Sequence, residues 1–449
     1  MALTGIEIFK MLPKTNCKEC GVATCLAFAM NLAAGKAELS ACPYVSEEAK
    51  EKLAEASAPP IRQLTVGYGD RPVKVGGETV LYRHEKTFFS PTGLAALLTT
   101  DMDEDTVDMK LRKWDTYQYE RVGLNLRPEL VAIKDTNGDA GKFEAIVKQV
   151  ADTSNFSSIL MSEDPGVMAS GLKAKDGTHP LIYAATNDNF DKMAALAEES
   201  GCSLAIKGTD MDNLTELSDK ATAMGLKDLV LDSGARSAKQ AYEDQITIRR
   251  AALLAKNKSL GFPTICLPFE MAETLDQETM ISSMLIAKYA GILVMSDFEG
   301  SSLFPLLLER LNIYTDPQRP MVVTEGIYEI NNPDENSPIC ITSNFALTYF
   351  IVSGEIEGSK VPTWLLIIDT EGLSVLTAWA AGKFVGDALG IFVKKCGIMD
   401  KAKTRKIIIP GYAAAISGDL EEELGTDWEV AIGPREAAHI PAFLRQVAA

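Results

Sequence analysis

From about Glu129 the chain settles into a rhythm, with short apolar runs alternating with longer stretches of helical periodicity. The runs occupy 130–133, 158–161, 181–184, 203–206, 229–231, 263–266 and 291–295. Near-continuous apolar runs of this length fit parallel strands buried on both faces, with one helix after each. Seven such strands predict a (β/α)8 barrel of the TIM type, with an eighth from the Gly- and Val-rich, hairpin-like stretch 64–84 or from 321–323. An open, doubly wound sheet is the alternative. A second alternation closes the chain, with strands predicted at 339–342, 363–369, 406–409 and 428–432, each followed by a helix. Four strand–helix units in so short a segment predict a compact Rossmann- or flavodoxin-like domain.

Two polar, proline-bearing joints divide this α/β chain. One is Ala58-Pro59-Pro60, after an Ala/Glu/Lys helix predicted at 46–56; the other is the NNPDENSPIC stretch around Pro333. The domains expected are therefore 1–58, 59–325 and 326–449, with the joints as natural hinges. At 449 residues the chain is too long for one ordinary core. Its 44 basic and 62 acidic residues leave a net charge of −18, which argues against nucleic acid as a partner. No apolar run reaches membrane-spanning length, and the first residues lack the basic-then-apolar pattern of a signal peptide. A cytoplasmic location is expected, and no membrane partner.

The chemistry concentrates near the start. Cys17, Cys20, Cys25 and Cys42 lie at spacings that bring four thiols to one point. In a reducing compartment such a set holds a metal or an iron–sulfur cluster. A cubane with four thiolate ligands fits best; a structural zinc is the competing reading, though zinc sites more often pair two Cys-x-x-Cys knuckles. Gly21 allows a tight bend after the second ligand, and Pro43 follows the last one. A helix predicted over 23–34 puts Cys25 in its first turn, where amide donors and the dipole favour negative charge. Cys202, Cys266, Cys340 and Cys396 are scattered in apolar surroundings and read as buried free thiols.

Polar residues follow the barrel strands: Asp135, Glu163, Asn187, Asp188, Asp232 and Asp297. They would ring the face where barrel active sites form, but most are expected to cap the next helix. In the last domain the strand ends are rich in glycine and hydroxyls, as a ligand-binding crevice requires. Ser374 reads as a helix N-cap, with room for a phosphate. The helix expected after it carries Ala378, Gly382, Gly386 and Gly390 on one face. Such a stripe serves either tight packing or a groove for an elongated ligand. No phosphate-binding glycine fingerprint is present, and three dispersed histidines (His84, His179, His439) build no nucleophile triad.

The motif Cys17-x-x-Cys20-Gly-x-x-x-Cys25-Leu-Ala-Phe with Cys42-Pro43 resembles the cluster domain of the corrinoid iron–sulfur protein large (gamma) subunits of the acetyl-CoA (Wood–Ljungdahl) pathway. The stretches IIDTEGLSVLTAWAAGKF, IIIPGYAAAISGDLEEELG and WEVAIGPREAAHIPAF resemble the corrinoid-binding domain of that family. The resemblance covers the whole chain and implies a methyl carrier, a component of a methyltransferase system that is not catalytic alone. A methyltransferase would pass a methyl group from methyltetrahydrofolate to Co(I) of the corrinoid, for delivery to the nickel cluster of acetyl-CoA synthase. The [4Fe-4S] cluster, on Cys17, Cys20, Cys25 and Cys42, would reductively reactivate Co(II). The partners implied are a small corrinoid-protein subunit forming a heterodimer, the methyltransferase, CO dehydrogenase/acetyl-CoA synthase and a reductant such as ferredoxin. The absence of an Asp-x-His-x-x-Gly motif fits cobalt without a protein histidine ligand. Thr342 and Thr348 would contact corrin amides or the nucleotide tail. Gly372, Leu373, Ser374, Val375 and Leu376 would wrap the tail or lower corrin face, and Gly411, Tyr412, Ala431 and Gly433 would complete the rim. The rival readings are a barrel-based pterin-dependent methyltransferase using Asn187, Asp232 or Asp297, an iron–sulfur electron-transfer subunit without corrinoid, and a zinc-stabilised scaffold.

Overall fold

The computed structural model describes residues 5–33, 37, 39–46, 49, 53, 59–68, 70–121, 124–174, 177–316 and 318–447. The helix expected at 46–56 and the joint at Ala58 fall largely outside them. The chain forms two compact units. The first comprises 1–81, 88–117 and 128–314; the second comprises 82–87, 118–127 and 315–449.

In the first unit, Gly5–Met11 and Cys25–Ala33 form a helix pair ahead of a short hairpin, β1 (Leu64–Val66) and β2 (Val73–Val75). Eight parallel strands follow: β3 (Gly93–Thr99), β6 (Leu130–Lys134), β7 (Ser157–Met161), β8 (Leu181–Ala185), β9 (Ser203–Lys207), β10 (Leu229–Asp232), β11 (Ile265–Cys266) and β12 (Ile292–Met295). They run in the order β10-β9-β8-β7-β6-β3-β12-β11. The ring closes at a single bridge, Leu231 to Thr264, where the Leu231 amide donates to the Pro263 carbonyl at 2.8 Å. This is the predicted parallel barrel, nearly closed. Its eighth strand is β3, not 64–84 or 321–323. Met321 and Val323 instead hydrogen-bond to the chain around Asn344 in the second unit. Leu and Ala dominate β3, a helix-forming composition, but residues 93–98 are all buried, and burial on both faces overrides that propensity.

The barrel interior is filled from alternate strand positions, among them Leu97, Ala132, Ile159, Ala205, Val230 and Val294. Leu64, Val66, Val73 and Val75 of the hairpin complete the same core. The hairpin covers the amino ends of the strands: Gly67 N–H donates to His179 O at 2.8 Å and Ser157 Oγ donates to Arg71 O at 2.7 Å.

The second unit is built on a five-stranded sheet: β13 (Gly326–Ile330), β14 (Ile339–Ser343), β15 (Thr363–Ile368), β16 (Lys406–Ile409) and β17 (Glu429–Ile432). The order is β13-β15-β14-β16-β17, with β13 antiparallel and the other pairs parallel. Separate cores on its two faces make it a doubly wound sheet. Ile341, Leu366 and Ile409 pack with Phe384 and Leu389 on one face; Cys340, Leu365 and Ile408 pack with Ile356 and Leu444 on the other. A small antiparallel pair, β4 (Tyr119–Arg121) with β5 (Leu124–Leu126), joins this unit from within the barrel's stretch of sequence.

The long helix expected after Ser374 is two helices. Val375–Ala380 ends at Gly382 in the left-handed region (φ 73°), and Gly386–Lys395 begins anew. The small-residue stripe is therefore broken, and its second half serves packing. A Cβ on Gly386 would lie 2.5 Å from Asp419 Cβ and 2.6 Å from the Leu420 amide nitrogen, and one on Gly390 would lie 2.3 Å from Glu423 Cγ.

Candidate functional site

Cys17 opens the ligand loop and is exposed; Cys20 is half-buried, and Cys25 and Cys42 are buried in the small core around Ile8, Leu12 and Phe28. The loop turns through left-handed residues at Lys14, Asn16, Lys18 and Gly21 (φ 59°, 49°, 67° and 76°). Asn16 ties the loop to the helix: its Oδ1 accepts from the Cys25 amide at 2.8 Å, and its own amide donates to Cys25 Sγ at 3.4 Å. An N–H aimed at sulfur stabilises a thiolate, so the donor set and its surroundings fit an iron–sulfur cluster. Glu19 accepts from the Tyr44 hydroxyl at 2.8 Å. That bond, with the charge of Glu19 and of Cys17 and Cys42 further off, raises the Tyr44 pKa. Among the described residues, no three His, Cys, Asp or Glu side chains are gathered as around a single metal ion.

The second site is a cavity of about 300 Å³ in the C-terminal unit, beyond the carboxyl ends of β14 and β16 where the strand order reverses. Open parallel sheets bind ligands at this position. Its floor and walls are apolar, with Cys340, Ile356, Ile408, Phe443 and Leu444 among them. Of the residues singled out in the sequence, Thr342, Thr348, Ser374, Val375, Leu376, Tyr412 and Gly433 line it. Gly411 sits behind Tyr412, its amide donating to Pro434 O at 3.1 Å. Gly372 and Leu373 belong to the adjoining turn, and Ala431 packs on the same sheet face two residues before Gly433. Thr342 is 1% exposed and its Oγ1 has no hydrogen-bond partner among the described residues. An unpartnered buried hydroxyl costs about 1–3 kcal/mol, so its place on a cavity wall marks where a polar ligand group fits. No histidine is among the lining residues.

Asn344 was not singled out, yet it builds the rim. Its Oδ1 accepts from Thr370 N (3.0 Å), Thr370 Oγ1 (2.8 Å) and Gly372 N (3.0 Å), while its Nδ2 donates to Asp369 Oδ1 (2.8 Å). One buried amide thus fixes the turn that carries Gly372 and Leu373. The walls from Ile440, Phe443 and Leu444 were also missed. Their signal was the apolar spacing in IPAFLRQV. Ser374 makes no side-chain cap bond, and its helix has six residues, so the expected phosphate position has no support there.

The polar residues after the barrel strands are turned to other uses than capping. Asp232 is 2% exposed; it accepts from Tyr183 OH at 2.5 Å and from Arg236 Nη2 at 3.0 Å. Burial, then the Asp232 charge, raises the Tyr183 pKa well above its usual value. Arg236 also pairs with Glu270, which takes Lys134 Nζ at 2.8 Å. Burial opposes ionisation of Glu270, but those two cations outweigh it and hold its pKa low. Asp297 accepts from Trp114 Nε1 at 2.7 Å and pairs with Lys110. Glu163 pairs with Lys207, Asn187 accepts from Asn213, and Asp135 binds the amides of its own loop and Ser162 Oγ. Asp188 is exposed. After Asp135 and Asp232 the caps come later in the same loops, from Asp139 and Ser237, because the strand-end positions lie short of the helix starts.

A family model described as the CO dehydrogenase/acetyl-CoA synthase delta subunit matches residues 63–444, and a smaller Fe-S cluster model matches residues 12–44. The corrinoid/iron-sulfur protein large subunit of Moorella thermoacetica is 44% identical over 99% of this chain and 99% of its own length. The acetyl-CoA decarbonylase/synthase complex subunit gamma of Methanopyrus kandleri is 37% identical, covering 99% of this chain and 98% of that one. The gamma subunit of Methanothermobacter thermautotrophicus is 32% identical, with both chains covered in full. The likeness runs through the cysteine loop, the barrel and the C-terminal sheet alike, so the chain belongs to the family of corrinoid/iron-sulfur protein large subunits and acetyl-CoA decarbonylase/synthase gamma subunits.

Proposed function

We propose that the chain is a corrinoid-dependent methyl carrier. It would accept a methyl group from methyltetrahydrofolate by way of a methyltransferase and deliver it to the nickel cluster of acetyl-CoA synthase. The observation that carries this reading is the full-length likeness to a corrinoid/iron-sulfur protein in a chain that has both a four-cysteine loop and a cavity with an unpartnered hydroxyl. Bound in these places, the two cofactors would supply a cobalt centre for the methyl group and one-electron reduction to keep it active.

The chain's own residues do the holding. Cys17, Cys20, Cys25 and Cys42 would ligate the cluster, and Asn16 would place an N–H on Cys25 Sγ. The apolar cavity would take the corrinoid's tail, with Thr342 Oγ1 meeting a polar group there and Thr348, Ser374 and Tyr412 nearer the mouth. Gly372 and Leu373, in the turn held by Asn344, and Gly411, Ala431 and Gly433 would shape the surrounding rim. The companion small subunit, the methyltransferase, CO dehydrogenase/acetyl-CoA synthase and a ferredoxin-like reductant are the partners this role requires. A chain that serves several partners in turn would move its cluster and corrinoid domains relative to the barrel. The barrel-based methyltransferase receives less support, because Asp232 and Asp297 are already held by Tyr183, Arg236, Trp114 and Lys110.

Metal analysis of the chain purified anaerobically with its companion subunit tests the proposal. Iron and cobalt should both be present in stoichiometric amounts, and iron without cobalt would leave only an electron-transfer subunit. Cys20→Ala should lose the iron and keep the cobalt. Its methyl transfer should persist from pre-reduced protein but decay as cobalt oxidises.

A further inference from the structure

One buried residue fastens two parts of the C-terminal unit beside the cavity. Asn344 stands just past the end of β14, two positions after Thr342, and is 4% exposed. Its main chain ties strand ends together: its amide donates to Ile368 O at 3.0 Å, and its carbonyl accepts from Val323 N at 2.9 Å. Its side chain ties the turn 370–373, with Thr370 N, Thr370 Oγ1 and Gly372 N on Oδ1 and Nδ2 reaching back to Asp369. Within that turn Glu371 and Gly372 are both left-handed (φ 55° and 76°), a conformation unfavourable for a residue with a Cβ. Gly372 is pressed against the 320–322 segment, where a Cβ would lie 2.7 Å from Pro320 Cγ and 2.8 Å from Val322 Cγ1. The Glu371 amide bonds to Asp369, and Thr370 bonds to Leu373 within the turn. Among the described residues, the remaining polar ties of 370–373 run to Asn344 and, by the ion pair of Glu371, to Lys383. The next three residues, Ser374, Val375 and Leu376, line the cavity, and the short helix they open has no side-chain cap.

We propose that Asn344 is a positioning residue of the corrinoid site: through the turn 370–373 it sets where Ser374, Val375 and Leu376 meet the cofactor's tail. The inference rests on the corrinoid reading above and goes beyond it by naming a residue on which the grip depends although it does not line the cavity. Chemistry leaves position 344 little choice. The Thr370 and Gly372 amides only donate and an ionised Asp369 only accepts, so the side chain between them needs an acceptor and a donor on one short branch. A carboxylate in its place keeps the acceptor, loses the donor, and faces Asp369 across the bond that Nδ2 now makes at 2.8 Å. Two carboxyl groups so close share one proton, so protonation repairs the bond and rising pH breaks it. The other charges around this pair are Glu325, which accepts from the Asp369 amide at 2.8 Å, the Glu371–Lys383 ion pair, and Lys395 in the same surface groove.

The test uses the full chain with its companion subunit, stripped of corrinoid and reloaded with cobalamin or with cobinamide, which lacks the nucleotide tail. Bound corrinoid is read from its visible spectrum, and iron content reports that the complex is intact. Asn344→Ala should weaken cobalamin binding about tenfold or more and leave cobinamide binding unchanged. Asn344→Asp should hold cobalamin at about pH 5.5 and release it as pH rises to about 8.5, a fall that the unaltered chain does not show. Asn344→Asp/Asp369→Asn exchanges donor and acceptor across the same bond. It should restore cobalamin binding at both pH values, which a fold merely weakened by two substitutions would not do. Equal loss of cobalamin and cobinamide from Asn344→Ala, or no recovery in the exchanged pair, would overturn the inference. So would cobalamin affinity in all three variants equal to that of the unaltered chain. Failure of the unaltered, iron-loaded complex to bind cobalamin would instead bring down the corrinoid reading itself.

Discussion

Cys340 lies in the wall of the C-terminal cavity, and burial pushes its thiol pKa up to about 12. It should therefore stay protonated and resist iodoacetamide at neutral pH, reacting only after unfolding; mass spectrometry of labelled peptides reads this directly. The sign of the accompanying stability change follows. Above pH 9 the unfolded thiol ionises while the folded one keeps its proton until about 12. The folded state then binds more protons, so stability falls as pH rises through that window. Cys340→Ala should flatten the alkaline limb of a denaturation-versus-pH profile. At this scale the four-cysteine loop was legible because its spacing has few other uses, and the place of Thr342 on the cavity wall because strand ends face the crevice. Asn16 and Asn344 were not. An asparagine in a loop is commonplace, and only the folded chain shows that one caps Cys25 and the other gathers three donors.

Single turns of misreading have consequences for whole elements. Small residues at every fourth position suggested one long helix, yet Gly382 takes a backbone conformation that stops it, and the restart at Gly386 presses against Ser417–Leu424. Gly386→Ala would place a methyl group against backbone atoms of Asp419 and Leu420, which cannot swing aside. The expected loss is about 1–3 kcal/mol of stability, read by urea denaturation. Gly418→Ala, where nothing lies within 4 Å, is the control and should cost far less. The barrel was legible because seven of its strands are apolar runs bounded by polar turns. Strand β3 escaped because five consecutive Leu and Ala residues carry no period-2 signal and favour helix when taken alone.

The two compact units are not consecutive in sequence. Residues 82–87 and 118–127 leave the barrel's stretch of chain and fold with the C-terminal sheet. Arg121 sits over the Phe350 ring at 4.2 Å, and Tyr328 and Tyr349 pack beside each other at 5.1 Å in the same unit. A fragment of residues 315–449 would lack the hairpin that carries Arg121. It should expose aromatic surface, bind a hydrophobic dye and melt below the corresponding transition of the intact chain; equal melting would show that the hairpin contributes nothing. No sequence pattern announced this exchange, since β4 and β5 are three residues each and their partners lie more than two hundred positions away.

The β1–β2 hairpin adds a constraint of timing. It leaves the ribosome before every strand of the ring it stoppers, and the ring is joined only after β11 and β12 have been made. During synthesis its valines and Leu64 must wait for a socket that does not yet exist, which makes this short piece the stretch of the nascent barrel most dependent on shelter from wrong contacts.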